Sequence, residues 1–123
     1  MEYKKIDNLS EKSILFSKDI VLLYRDLDKK GLEKELLKQF IRSGTSVGAN
    51  IAEAKGSISE PDYYSKMHIA YKELLETKYW INLLLATKDI KKEEAEKIFN
   101  EIEELAKILY TIIRNIKAKK SNC

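Results

Sequence analysis

The sequence predicts an all-α fold, an up-down-up-down antiparallel four-helix bundle. Three observations predict it. Apolar residues return every three or four positions in four segments, about 9–28, 32–55, 60–87 and 91–118. The breaks between these segments are short and carry helix stop and start residues. The 123 residues include only one proline and four glycines, and no stretch alternates apolar with polar residues as a half-buried strand would. At about 1.5 Å per residue, each helix should be roughly 30–40 Å long. The whole chain, 1–123, reads as a single four-helix-bundle domain, long enough to bury a core without staples.

The first helix should start near Asn8 to Ser10. Leu9, Phe16, Ile20, Leu23 and Leu27 define one face. Ile14, Leu15, Val21, Leu22 and Tyr24 widen that face, and a helix so apolar around its circumference should have more than one neighbour. Lys29-Lys30-Gly31 ends it, with cations in the last turn and a glycine suited to a left-handed cap. In the second helix the buried face is Leu36, Leu37, Phe40, Ile41, Gly44, Val47, Gly48 and Ile51. Gly44, Gly48 and Ala52 recur every four residues, so one flank can admit another backbone closely. A glycine inside a helix costs about 1 kcal/mol against alanine, and close packing is the expected compensation. Thr45 and Ser46 do not disturb the spacing, so this is one helix, with Gly44 the place for any bend.

Ser59-Glu60-Pro61-Asp62 opens the third helix with a capping serine, early acids and a proline just inside. Its apolar row is Tyr63, Met67, Ala70, Tyr71, Leu74, Ile81, Leu84 and Leu85. The fourth helix steps by three and four through Ala95, Ile98, Phe99, Ile102, Leu105, Ala106, Leu109, Ile112, Ile113 and Ile116. Its acids come early and its cations late, which complements the helix dipole. The expected centre of the core is Phe40, Val47, Ile51, Leu74, Phe99, Ile102 and Leu109.

Chemistry-bearing residues are scarce. The only histidine is His68, and the residue three before it is Ser65, so the Glu-x-x-His pairs of a di-iron bundle are missing. Cys123 is the only cysteine and the last residue, which leaves no internal disulfide and no plausible Cys–His pair. Gly44, Gly48 and Gly56 match neither phosphate-loop spacing, and no GxSxG turn exists. Acids are plentiful, but none stands out in an apolar context. The expectation is a protein with no catalytic residues, no metal and no cofactor. No apolar run approaches the roughly 20 residues needed to span a bilayer, and MEYKKIDNLSEK lacks the apolar core of a signal peptide. A cytoplasmic location with no membrane partner is expected.

The net charge is +3, with 35% charged residues, and its distribution offers two cationic places. Lys34, Lys38 and Arg42 form a row along the second helix at four-residue spacing. The tail from Arg114 onward carries Lys117, Lys119 and Lys120 with no acid. Both are candidates for phosphate contact, although cations at a helix C-terminus also satisfy its dipole. Tyr63, Tyr64, Tyr71, Tyr79 and Trp80 lie among Lys66, Lys72 and Lys78 on the third helix. Such a mixture suits either base stacking or ordinary packing. Arg42, Ser46, Asn50 and Glu53 make a polar stripe opposite the apolar face of the second helix, suited to solvent or to another subunit. Glu73 and Glu76 suit a solvated face or pairing with Arg42 or Asn50 on a neighbouring helix.

RSGTSVGANIAEA, followed about 20 residues later by YKELLETKYWINLLL, resembles the 23S rRNA intervening-sequence protein family, also called the S23 or four-helix-bundle family. The resemblance spans roughly Leu15 to Ile116. Its most specific parts are Ser46 to Glu53 and the row Glu73, Glu76, Trp80. Gly48 stands where the family often has proline, and Ala54 where glycine is frequent. The resemblance implies a small bacterial four-helix bundle that assembles as a homopentamer. It favours a subunit interface for Arg42, Ser46, Asn50 and Glu53. A related branch, the accessory proteins of diversity-generating retroelements, is more basic than this chain and binds nucleic acid and a reverse transcriptase. The implied partners are therefore other copies of the chain, with RNA as the expected ligand and a protein partner as the alternative.

Overall fold

The computed structural model describes residues 3–121, and side chains from 8 to 118. Four helices follow one another: α1 Tyr3–Lys29, α2 Lys34–Lys55, α3 Glu60–Ala86 and α4 Lys92–Ser121. Each packs on its neighbours in chain order, α4 closes against α1, and among the described residues the backbones of the diagonal pairs do not approach closely. Paired residues show that neighbours run antiparallel. Ser43 meets Thr77 and Glu53 meets Lys66 between α2 and α3. Lys78 meets Glu103 and Tyr71 meets Tyr110 between α3 and α4. This is the expected all-α bundle.

The turn chemistry explains the breaks. Gly31 takes a φ of +78° after α1, a conformation open to glycine at little steric cost. Ser59 caps α3 by accepting a hydrogen bond from the Asp62 N–H at 3.2 Å. Glu94 reaches back to accept the Lys91 N–H at 3.2 Å before α4, half of a capping box. The start of α1 differs from expectation. The helix begins at Tyr3 and runs through Asn8 and Ser10. Leu9 is fully buried there, so packing carries the helix past residues that would otherwise favour a cap.

The core is one apolar column. Phe16, Ile20 and Leu27 of α1, Phe40 and Ile51 of α2, Met67, Leu74 and Ile81 of α3, and Ile102 and Leu109 of α4 are all buried. Of the expected core centre, only Phe99 departs, being half-buried against the core edge. Gly44 is where α1 and α2 approach most closely. A Cβ built there would lie 2.5 Å from Ile20 Cγ2. At Gly48 it would meet Ser17 Oγ at 3.1 Å, and Ala52 is already exposed. The close approach therefore opens out along α2, and α2 stays a single helix through Gly44.

As expected, α1 has more than one neighbour, packing on both α2 and α4. Of the residues that widen its face, Tyr24 packs against the core and Val21 is half-buried, but the other three are not covered. Ile14 is 70% exposed, and Leu15 and Leu22 are also exposed. The α1–α4 seam is the looser side of the bundle, and Leu15 lies at its edge, exposed although it borders α4.

Candidate functional site

The stripe Arg42, Ser46, Asn50, Glu53 is occupied within the chain. Arg42 lies on the exposed edge of α2 facing α3. Its Nη1 donates to Glu73 Oε2 at 3.3 Å and its Nη2 to Glu76 Oε2 at 2.6 Å. Its Nε donates to Gln39 Oε1 at 3.4 Å. Trp80 Nε1 also donates to Glu76 Oε2, at 3.2 Å, which fixes the carboxylate that holds Arg42. Partial burial works against the guanidinium charge, but Glu73 and Glu76 outweigh it and push the Arg42 pKa above its ordinary value. Ser46 donates to the Arg42 carbonyl at 2.6 Å and Asn50 to the Ser46 carbonyl at 2.8 Å. Glu53 accepts from Lys66 at 3.0 Å. The structure thus pairs Arg42 with Glu73 and Glu76, the pairing the sequence offered as one option for these acids. Beneath this network, buried Thr77 donates to Ser43 Oγ at 3.1 Å, and Ser43 donates to the Phe40 carbonyl at 3.0 Å. This polar chain fixes the register of α2 on α3.

The six candidate phosphate-binding residues do not come together. Lys34 and Lys38 are exposed on the first turns of α2 and make no ion pair among the described residues. Arg42 continues the row but is held by two carboxylates. Lys117 is exposed near the end of α4. Because α2 and α4 run parallel in this topology, Lys117 lies at the opposite end of the bundle from Lys34. The side chains of Lys119 and Lys120 fall outside the described residues.

The aromatic residues divide. Tyr63 is buried in the core. Tyr64 stacks on exposed His68 with ring centroids 5.8 Å apart. Tyr71 leans on Tyr110 at 6.4 Å, across the α3–α4 groove. Tyr79 is 58% exposed and meets the edge of Trp80 at 4.9 Å. No group of three or more His, Cys, Asp or Glu side chains is arranged to hold a metal among the described residues. No helix there is long and apolar enough to cross a membrane.

One feature escaped sequence reasoning. Asp19 of α1 and Glu101 of α4 meet at the α1–α4 seam and share a hydrogen bond. Glu101 Oε2 is buried and meets no donor group. Burial, followed by the hydrogen bond and charge of Asp19, pushes Glu101 up to about 8, while Lys97 and Lys18 oppose the shift. Glu101 also floors a cleft of about 130 Å³ with Lys12, Leu15, Glu104 and Leu105, and Lys12 pairs with Glu104 across it. No motif marks this pair, because it depends on the register of two helices at opposite ends of the chain.

Comparison with known proteins places the fold. A solved structure from Bacteroides thetaiotaomicron, described as a protein of unknown function from the S23 ribosomal protein family, is similar at 43% identity. The match covers 89% of this chain and 98% of that one, with a TM-score of 0.86. No curated protein matches the chain. The family model described as 23S rRNA-intervening sequence protein matches residues 7–111. That span holds nearly all of α1, the whole of α2 and α3 with the Arg42 network, and most of α4, so the chain belongs to the 23S rRNA-intervening sequence protein family.

Proposed function

We propose that this chain is a non-enzymatic bundle that self-assembles, as a homopentamer, and associates with RNA through the α2 end of each subunit. The observation that carries the RNA reading is the pair Lys34 and Lys38. They are exposed one turn apart, and no acid among the described residues neutralises them. The family description, which refers to 23S rRNA, supports the same ligand class. Arg42 serves the α2–α3 contact and supplies no free cation. Two lysines are a weak patch, but a ring repeats them in every subunit and makes the patch multivalent. Self-assembly is supported by the uncovered Ile14, Leu15 and Leu22 of α1, since large apolar side chains grouped on one outer helix side suit a contact site. The same stripe favours the second reading, a protein-interaction module without RNA.

The test is RNA binding at about 50 mM and about 200 mM salt, for wild type and for Lys34→Gln with Lys38→Gln. Wild type should bind many sequences alike and weaken steeply with salt. For every phosphate the variant no longer neutralises, the log–log salt slope should fall by about 0.7 on single strands. A double variant with unchanged affinity and slope places the surface elsewhere. Wild type that binds no RNA at low salt leaves the protein-interaction reading.

A further inference from the structure

We infer that the α3–α4 groove is a stacking platform for single-stranded RNA, with Tyr79 and Tyr110 as its base-contacting residues. This rests on the RNA reading above and adds a second surface to it, on a different face from Lys34 and Lys38.

The groove follows from helical spacing. Tyr71, Leu75 and Lys78 share one line of α3; Glu103, Lys107 and Tyr110 share the facing line of α4. Tyr71 touches Tyr110 at one end, and Lys78 bonds Glu103 at 3.3 Å towards the other. Leu75 and Lys107 lie between these contacts, both exposed. A second line, Lys72, Leu75 and Tyr79, runs along the outward face of α3 and meets the first at Leu75. From Tyr71 to Tyr79 is about 12 Å along the axis.

Two properties distinguish this face. The first is aromatic exposure. Tyr79 is 58% and Tyr110 54% exposed, and each touches another ring, Trp80 edge-on and Tyr71 tilted. Rings so held lose little freedom on stacking, and every base offers a π-face to them. The second is charge. Between the Tyr71–Tyr110 and Lys78–Glu103 contacts no acid stands on either line, Glu103 is engaged by Lys78, and on the α2 side of α3 Glu73 and Glu76 are engaged by Arg42. Lys72 and Lys107 make no ion pair among the described residues. The uncompensated charge here is therefore cationic, complementary to a phosphate backbone, while the tyrosines supply what a duplex with its bases stacked inside cannot use. A single strand uses both.

The test measures binding of a single-stranded RNA without stable hairpins, and of the same sequence as a duplex. The proteins are wild type, Tyr79→Ala, Tyr110→Ala, Tyr79→Phe and Lys72→Gln, each checked for unchanged melting temperature and assembly. Each alanine variant should bind the single strand at least about fivefold more weakly, with the salt slope unchanged, because stacking releases no counterions. Tyr79→Phe should bind as wild type, since the ring and not the hydroxyl is used. Lys72→Gln should lower the slope by about 0.7. The duplex should bind more weakly than the single strand and ignore the alanine changes. If wild type binds RNA and both alanine variants bind equally well, the stacking platform is wrong while the Lys34 and Lys38 reading stands. Equal capture of duplex and single strand also overturns it. If wild type binds neither RNA, the RNA reading itself fails and the platform falls with it.

Discussion

Single residues decide how closely these helices approach and how they respond to pH. Gly44 is the tightest point. The Cβ of an alanine there would lie 2.5 Å from Cγ2 of Ile20, a fully buried β-branched side chain with little room to move. Overpacking of this kind costs about 1–3 kcal/mol, against about 1 kcal/mol gained in helix propensity. Gly44→Ala should therefore unfold at lower urea concentration than wild type, whereas Gly48→Ala, facing the Ser17 hydroxyl, should be close to neutral. A Gly44→Ala variant as stable as wild type would show that α1 can move away. The Asp19–Glu101 pair should make stability depend on pH. Glu101 is raised from its ordinary 4.5 to about 8, first by burial and then by Asp19. The folded chain thus holds a proton that the unfolded chain has released, and stability contributed by this proton is complete below about 4.5 and lost as pH rises through about 8. Melting temperature should fall from about pH 5 to about pH 8.5 more in wild type than in Glu101→Gln, whose amide can still donate to Asp19. Parallel curves for the two proteins would remove Glu101 from the account.

At the scale of elements, legibility in the sequence tracked local pattern. The fourth helix was plain because Ile98, Ile102, Leu105, Leu109 and Ile112 keep their spacing, and all five are buried. Leu109→Ala should cost about 2–5 kcal/mol by urea unfolding, and a change below about 0.5 kcal/mol would take Leu109 out of the core. The α3 start was equally legible, since Ser59 and Asp62 make the bond their spacing implies. The outward apolar residues of α1 were not legible. Periodicity shows that Leu15 and Leu22 share a face but not whether another helix reaches it. The Arg42 stripe was half legible. Its residues and candidate partners, Glu73 and Glu76, were visible in the sequence, but which acids meet Arg42 needed the α2–α3 register that Ser43 and Thr77 set. The Asp19–Glu101 pair needed the α1–α4 register and had no local signature at all.

For the whole molecule, the division of labour is between a closed α2–α3 side and an open α1 side. Polar groups around Arg42 are satisfied inside the subunit, while Ile14, Leu15 and Leu22 are left uncovered. The proposed assembly through α1 would leave the α2 end, with Lys34 and Lys38, available in every subunit. It also predicts that Leu15→Ser with Leu22→Ser keeps the fold but lowers the assembled mass, because these side chains are not in the subunit core. The measurement that tests the central claim most directly is sedimentation of the wild-type protein at tens of micromolar, alone and with single-stranded RNA. The protein alone should run as a species near five times 14.3 kDa. That species should carry RNA at about 50 mM salt and release most of it by about 200 mM. A clean monomer, or RNA that sediments free of the protein at the lower salt, would contradict the account.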